Sequence, residues 1–221
     1  MSADPAAEQQ SIARIQEGVF FTVPAALPRG RHNLTREQIS GAQRERLLAA
    51  VTELLAAQGY REFGVGEIAR HAGVSLGTFY ACFESKDACI FAGYDRFIEV
   101  LLRRMQDVDV PVDDRPELAI ALIRAYFETL QQDLVVARAY QVEIDALGPE
   151  ARARRRDSLT LFAAYIRERT APLELPWTAY IGVVYAARQL ASDALDTAAT
   201  PDLAALGADL QGWVVDLFRA R

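Results

Sequence analysis

Apolar residues along most of this chain recur every three or four positions. No run of alternating β-branched residues interrupts that rhythm, so the chain reads as all-α. The clearest stripe is Leu47, Leu48, Val51, Leu54 and Leu55, and Gly59 is placed to stop that helix. Two capping boxes, Thr35-x-x-Gln38 and Ser40-x-x-Gln43, leave its start open between two positions. Two short helices follow, Val65–Ala72 and Leu76–Phe83, joined by Gly73-Val74-Ser75 with Ser75 as a cap. Ser85 caps a long fourth helix whose inner stripe runs from Ile90 to Met105, and Pro111 breaks it. Asp114-x-Pro116-Glu117 starts a fifth helix that reaches Gln132, and a sixth spans Leu134 to Leu147. Gly148-Pro149 separates the sixth from a seventh that ends near Thr170, and Pro172 to Pro176 is a connector. Trp177–Ala199 and Pro201–Arg219 complete the set, with Thr200 as the last cap. Ahead of Thr35, Ile12 to Val23 is mildly apolar but closes on Pro24, and Pro28 and Gly30 follow. Residues 1–34 are therefore expected to form a flexible basic arm with at most a short helix.

The two short helices are too brief to be stable alone and must pack on neighbours. Ile68 and Ala69 of the first can meet Phe79 of the second, with the stripe Leu47 to Leu55 behind both. Such a trio is a helix-turn-helix module, in which the second short helix enters the DNA major groove.

Charge sharpens this picture. The chain carries a net charge of −6, which taken alone disfavours a polyanionic partner. From Arg29 to Lys86, however, eight basic residues face six acidic ones, so this stretch is +2 and the remainder is −8. A slightly basic N-terminal third on an acidic remainder fits two tasks in one chain. The two cysteines, Cys82 and Cys89, and the two histidines, His32 and His71, offer neither a disulfide framework nor zinc spacing, so no metal and no cofactor are expected. Both thiols read as small hydrophobes, with a thiol sensor as the alternative. No apolar stretch is long enough to span a bilayer, and Met1 to Gln10 lacks the features of a signal peptide, so a cytoplasmic protein without membrane contact is expected. No nucleophile–base pairing, carboxylate pair or cofactor loop suggests an enzyme.

The order Gly59-Tyr60, Glu67-Ile68-Ala69, then Ala72-Gly73-Val74-Ser75-x-Gly77-Thr78-Phe79-Tyr80-x-x-Phe83-x-Ser85-Lys86 resembles the signature of TetR-family regulators over Arg44 to Tyr94. The resemblance implies a helix-turn-helix DNA-binding domain over residues 35–85. It implies a helical effector-binding and dimerisation domain over 86–221. It assigns DNA contact to Ser75, Thr78 and Tyr80, and phosphate contact to Lys86, the chain's only lysine. Gly77 would allow a close approach to the DNA backbone. Leu76, Ala81 and Cys82 stand where the family often has polar or basic residues. Leu76 and Ala81 are therefore expected to meet thymine methyls, with Arg29 and Arg31 in the minor groove. The partners implied are palindromic operator DNA, a second copy of the chain and a small-molecule effector. The function implied is repression modulated by that effector. A fold-related interaction protein without operator binding is one alternative, and an α-helical enzyme is another.

In the C-terminal half, Tyr126, Phe127, Tyr140, Phe162, Tyr165 and Tyr185 fall on helical stripes, with Glu143 and Arg188 beside apolar faces. Such stripes usually mean core, yet they would also suit a ligand cavity, and these eight are the candidate effector-binding residues. Tyr140, Glu143, Ile144 and Leu147 share one face of the expected sixth helix. In the last helix, Leu206, Leu210, Trp213, Val214 and Leu217 form a broad stripe, and Tyr180, Val183 and Ala187 lie in the helix before it. These are the candidate dimer contacts, with an intramolecular core as the alternative. The run Arg152-Ala153-Arg154-Arg155-Arg156 reads as a solvated face.

Overall fold

The computed structural model describes residues 12–24, 35–111, 114–171, 173 and 175–219. Among the described residues, nine α-helices run in the order α1 (Arg36–Gln58), α2 (Val65–Ala72), α3 (Leu76–Cys82), α4 (Lys86–Gln106), α5 (Arg115–Gln132), α6 (Leu134–Gln141), α7 (Pro149–Arg169), α8 (Trp177–Thr197) and α9 (Leu203–Arg219). The only β pairing among the described residues is an isolated bridge between Glu17 and Phe21.

Local chemistry sets most of the boundaries. Thr35 starts α1 with a full capping box: its hydroxyl accepts from the Gln38 amide while the Gln38 side chain accepts from the Thr35 amide. Ser75, Ser85 and Asp114 cap α3, α4 and α5 in the same way, each accepting from the backbone amide three residues on. Gly73 stops α2 in the left-handed region at φ 66°, a conformation that a Cβ would strain. The last cap differs from expectation. Asp202, not Thr200, accepts from the Ala205 amide, and α9 begins at Leu203.

The sixth helix is shorter than its stripe suggests. α6 stops at Gln141, and Glu143–Leu147 form a separate 3₁₀ turn before Gly148 (φ 92°) and Pro149 open α7. Tyr140 and Glu143 therefore do not share a continuous helical face. Tyr140 points into the core, whereas the Glu143 carboxylate lies beside Gly59 at the end of α1.

One core runs through the whole molecule. Leu47, Leu48, Leu54 and Leu55 of α1 join Ile68, Phe79, Phe97, Phe127 and Tyr140 in a single buried cluster. α1 packs against α2 and α3 on one side and against α4 and α6 on the other. α5 and α9 lie along each other closely enough that a Cβ on Gly207 would fall 2.9 Å from the ring of the buried Phe127.

The largest departure from expectation is at the N-terminus. Residues 12–24 are not a loose arm: Ile15, Phe20 and Phe21 are buried, and the Phe20 ring lies 5.3 Å from that of Phe97. The buried Glu53 carboxylate of α1 receives the Ile15 amide at 3.1 Å and the Arg14 guanidinium at 2.7 Å, and it pairs with His71 of α2 at 2.6 Å. The next amide, Gln16, donates to Asp133 at 2.7 Å, and Asp133 also caps α6. This strap thus joins α1 and α2 to α4 and α6. Apolar residues without helical rhythm are held here by non-local partners, which a periodicity argument does not register. Arg29 and Arg31 lie outside the described residues.

Candidate functional site

Two places carry chemistry: the outer face of α3 and a cavity enclosed by the C-terminal helices. On α3, Phe79 is fully buried and fixes the helix to the core. The opposite face presents Leu76, 50% exposed, and Tyr80, 56% exposed, with Ser75, Gly77 and Ala81 open beside them. The Thr78 hydroxyl lies 2.9 Å from that of Ser75, so both are partly engaged in holding the helix start. Cys82 is half-buried. Burial pushes the thiols of Cys82 and Cys89 up, which keeps them protonated and weakly nucleophilic.

Lys86 does not stand free at the surface. Its ammonium donates to the carbonyls of Tyr60 (2.7 Å) and Phe63 (3.0 Å) and sits 4.0 Å from the centre of the Tyr60 ring. Partial burial lowers its pKa. In this structure the lysine ties the α1–α2 loop to the start of α4, leaving one of its three N–H groups for any outside partner.

Two arginines that the recognition-helix pattern left aside flank α3. Arg44 of α1 stacks on Phe83 at 4.3 Å and donates to the Cys82 carbonyl at the end of α3. Arg46 lies at the α2–α3 turn, its guanidinium 2.7 Å from where a Cβ on Gly73 would be. Neither forms an ion pair with a carboxylate among the described residues. The sequence signal for this pair was their spacing of two on α1, which only the fold translates into opposite ends of α3.

The cavity, of about 60 Å³, lies among α4, α5, α6, α7, α8 and α9 and is almost wholly apolar. Of the eight expected residues, Tyr126, Tyr140, Phe162 and Arg188 line it. The other four do not. Phe127 faces Gly207 of α9, Glu143 faces Gly59, the Tyr165 hydroxyl donates to the Met105 carbonyl, and Tyr185 is exposed. Tyr94, Phe97, Leu101, Met105 and Leu159 also line it.

Tyr140 connects the cavity to α1. Its ring lies 5.5 Å from Phe97, and its hydroxyl reaches Thr52 of α1 at 2.8 Å, where the Thr52 hydroxyl also donates to the Leu48 carbonyl. The hydroxyl passes α4 at Gly93, where a Cβ would lie only 1.9 Å away, so glycine is required for this crossing. Burial raises the Tyr140 pKa and keeps the phenol neutral.

The expected dimer residues also divide. Tyr180, Val183, Leu210 and Val214 are buried inside the protomer, and Ala187 lines the cavity. The α9 stripe is absorbed largely by α5. Trp213 remains 49% exposed, flanked by half-buried Leu206 and Leu217.

A short helix anchored from behind and exposed in front, carried on a bundle with its own interior cavity, defines the class of helix-turn-helix transcriptional regulators. The model of the tetR family of bacterial regulatory proteins matches residues 47–92. The chain is 30% identical over 163 residues to the HTH-type transcriptional regulator EthR of Mycobacterium tuberculosis, covering 72% of this chain and 67% of that one. It shares its fold with the fatty acid degradation regulator FadR from Bacillus halodurans (TM-score 0.64, 21% identity, 77% of this chain and 96% of that one). FadR from Bacillus subtilis, solved in complex with stearoyl-CoA, is similarly close (TM-score 0.62, 20% identity, 77% and 96%). The chain belongs to the TetR family and is a transcriptional regulator of that type. No described helix is long and apolar enough to cross a membrane.

Proposed function

We propose that this protein is a homodimeric, cytoplasmic repressor that binds a palindromic operator through residues 35–85 and is released by a small molecule bound within residues 86–221. The observation that carries this reading is the Tyr140 crossing, a cavity-lining side chain hydrogen-bonded to α1, the helix on which α2 and α3 rest. A cavity of about 60 Å³ is far below the roughly 300–1,000 Å³ of ligand sites. An occupant must therefore push its walls apart, and it stabilises a conformation other than this one by its differential affinity for the two. That the relative from Bacillus subtilis was solved in complex with stearoyl-CoA agrees with a small-molecule effector for this chain.

On the DNA, Leu76, Tyr80 and Ala81 read base edges and thymine methyls, with Ser75, Gly77, Thr78 and Cys82 at the groove wall. Arg44 and Arg46 contact phosphates at either end of α3, and Lys86 contributes its remaining N–H. Arg29 and Arg31 enter the minor groove. The dimer forms through the outer faces of α8 and α9, where Trp213, Leu206 and Leu217 meet a partner that can approach closely at Gly182 and Ala186. The chain acts by binding, without catalysis.

The test is operator affinity measured by fluorescence anisotropy on the chain's own promoter DNA. Tyr80→Ala should weaken binding at least about tenfold, corresponding to roughly 1–3 kcal/mol for one good base contact. Its melting temperature should stay within a degree or two of the parent, since Tyr80 is exposed. Unchanged affinity in a folded Tyr80→Ala protein would remove α3 from the DNA interface.

A further inference from the structure

The cavity has one polar end, and it is unevenly satisfied. Arg155 of α7 and Arg188 of α8 both line it, and both donate to the same oxygen of Asp145, Arg188 at 3.2 Å. The second Asp145 carboxylate oxygen is buried without a partner among the described residues, and so is Arg188 Nε. Arg188 is itself only 9% exposed. The Tyr126 hydroxyl, on the same cavity wall, has only the Gln141 side chain as a polar neighbour and makes no well-formed hydrogen bond there, and burial raises its pKa so that it remains a donor. Two guanidiniums against one carboxylate leave this end at +1. A buried charge without full pairing is costly, so the site favours an incoming anion.

Asp145 is not a lining residue of the cavity. It reaches the arginines from the 3₁₀ turn Glu143–Leu147, a weaker element than the helices around it. The same turn carries Glu143, whose carboxylate lies against Gly59 at the end of α1. A carboxylate held by two arginines at the polar end of an apolar cavity has the chemistry of a built-in stand-in for a ligand head group.

We propose that the effector is a singly charged amphiphile, a long-chain carboxylate. Its head group takes the place of Asp145 on Arg155 and Arg188, and its tail lies along α4. This proposal rests on the reading of the cavity as the effector site. The wall from Tyr94 to Met105 is eleven helical steps long, about 16 Å, which matches a dodecyl chain rather than a compact ring system. The Tyr126 hydroxyl donates to the second carboxylate oxygen of the ligand. Displaced Asp145 releases the 3₁₀ turn and with it the Glu143 contact to α1, while the tail presses on Tyr140. Both events reach the helix that supports α2 and α3.

The experiment is calorimetric titration of the full-length protein with dodecanoate, 1-dodecanol and dodecanoyl-CoA, each below its micellar concentration. Dodecanoate should bind at least about tenfold more tightly than 1-dodecanol, the worth of one charge-assisted contact. Asp145→Asn, which removes the competing anion, should strengthen dodecanoate binding about tenfold and shift 1-dodecanol little. Arg155→Met should weaken dodecanoate about tenfold more than 1-dodecanol, and it serves as an independent arm at a partly exposed position. Equal binding of acid and alcohol overturns the proposal. So does binding of dodecanoyl-CoA without dodecanoate, or dodecanoate affinity unmoved by both substitutions. Promoter DNA bound by a preparation that ignores dodecanoate overturns the ligand class alone and leaves the regulator reading in place.

Discussion

Replacing Glu53 with alanine should cost the fold about 3–5 kcal/mol, the range for stripping one partner from a buried, hydrogen-bonded charge cluster. Glu53 is 3% exposed and serves three donors from two parts of the chain: the Ile15 amide, Arg14 and His71. Its removal leaves a buried amide and a largely buried imidazole without acceptors, and each such orphan costs about 1–3 kcal/mol. For a chain of this size the loss appears as a melting-temperature drop of about 10 °C. Glu53→Gln retains an acceptor for Ile15 but presents an amide to Arg14 and His71, and it should fall between the parent and Glu53→Ala. Amide exchange over residues 12–24 should accelerate in both variants, because the strap loses its anchor before the helices do. Normal protection of Ile15 and Gln16 in Glu53→Ala would show that the apolar contacts of Phe20 and Phe21 hold the strap without it.

The second large effect is expected at Gly93. A methyl group there would fall 1.9 Å from the Tyr140 hydroxyl and 3.0 Å from the carbon that bears it, distances at which one side must move. Tyr140 is fully buried and cannot swing to solvent, so Gly93→Ala combines overpacking, about 1–3 kcal/mol, with loss of a buried hydroxyl pair of similar size. A total of about 2–6 kcal/mol follows from those two effects. Tyr140→Phe alone should cost only about 1 kcal/mol, since Thr52 keeps its bond to the Leu48 carbonyl. The double variant should be more stable than Gly93→Ala by about 1–2 kcal/mol, because removing the oxygen relieves the shortest contact. Additive losses in denaturant titrations would mean that Gly93 and Tyr140 do not meet as described.

How far the sequence could carry these conclusions varies along the chain. The helix starts at Ser75, Ser85 and Asp114 were legible because each cap is a bond between residues three apart, and spacing reports it directly, whereas the same spacing at Thr35 and Ser40 left two candidates that only the fold decides. The helix-turn-helix was legible for the same reason: Gly73 and Ser75 punctuate it, and Phe79 is the one large apolar residue that must turn inward. The cavity was half legible. Periodicity places Phe127, Tyr165 and Tyr185 on a helix face but does not say which neighbour covers that face, and α9, α4 and solvent respectively decide it. Arg155 illustrates the opposite failure. Within the run from Arg152 to Arg156 it reads as one more solvated cation, yet its position on α7 turns it into the cavity and onto Asp145. The strap could not be read at all, since its partners Glu53 and Asp133 are 38 and 117 residues away from the amides they bind.

The outcome at Lys86 bears on how operators are recognised. A lysine already committed to two carbonyls orders the α1–α2 loop more than it neutralises phosphate. On the function proposed above, Arg44 and Arg46 would then be the principal backbone contacts, and specificity would fall to a face made of Leu76, Tyr80 and Ala81. Such a face favours sites rich in thymine methyls over sites read by bidentate hydrogen bonds.

The central claim is that two copies of this chain present α3 to successive major grooves. Selection of bound sequences from a random DNA pool by the full-length protein tests it most directly. The account predicts enrichment of two inverted half-sites whose centres lie one helical turn apart or a multiple of it, about 10–10.5 base pairs each, with A·T pairs under α3. Enrichment of a single unpaired half-site, or no enrichment at low salt, would contradict it.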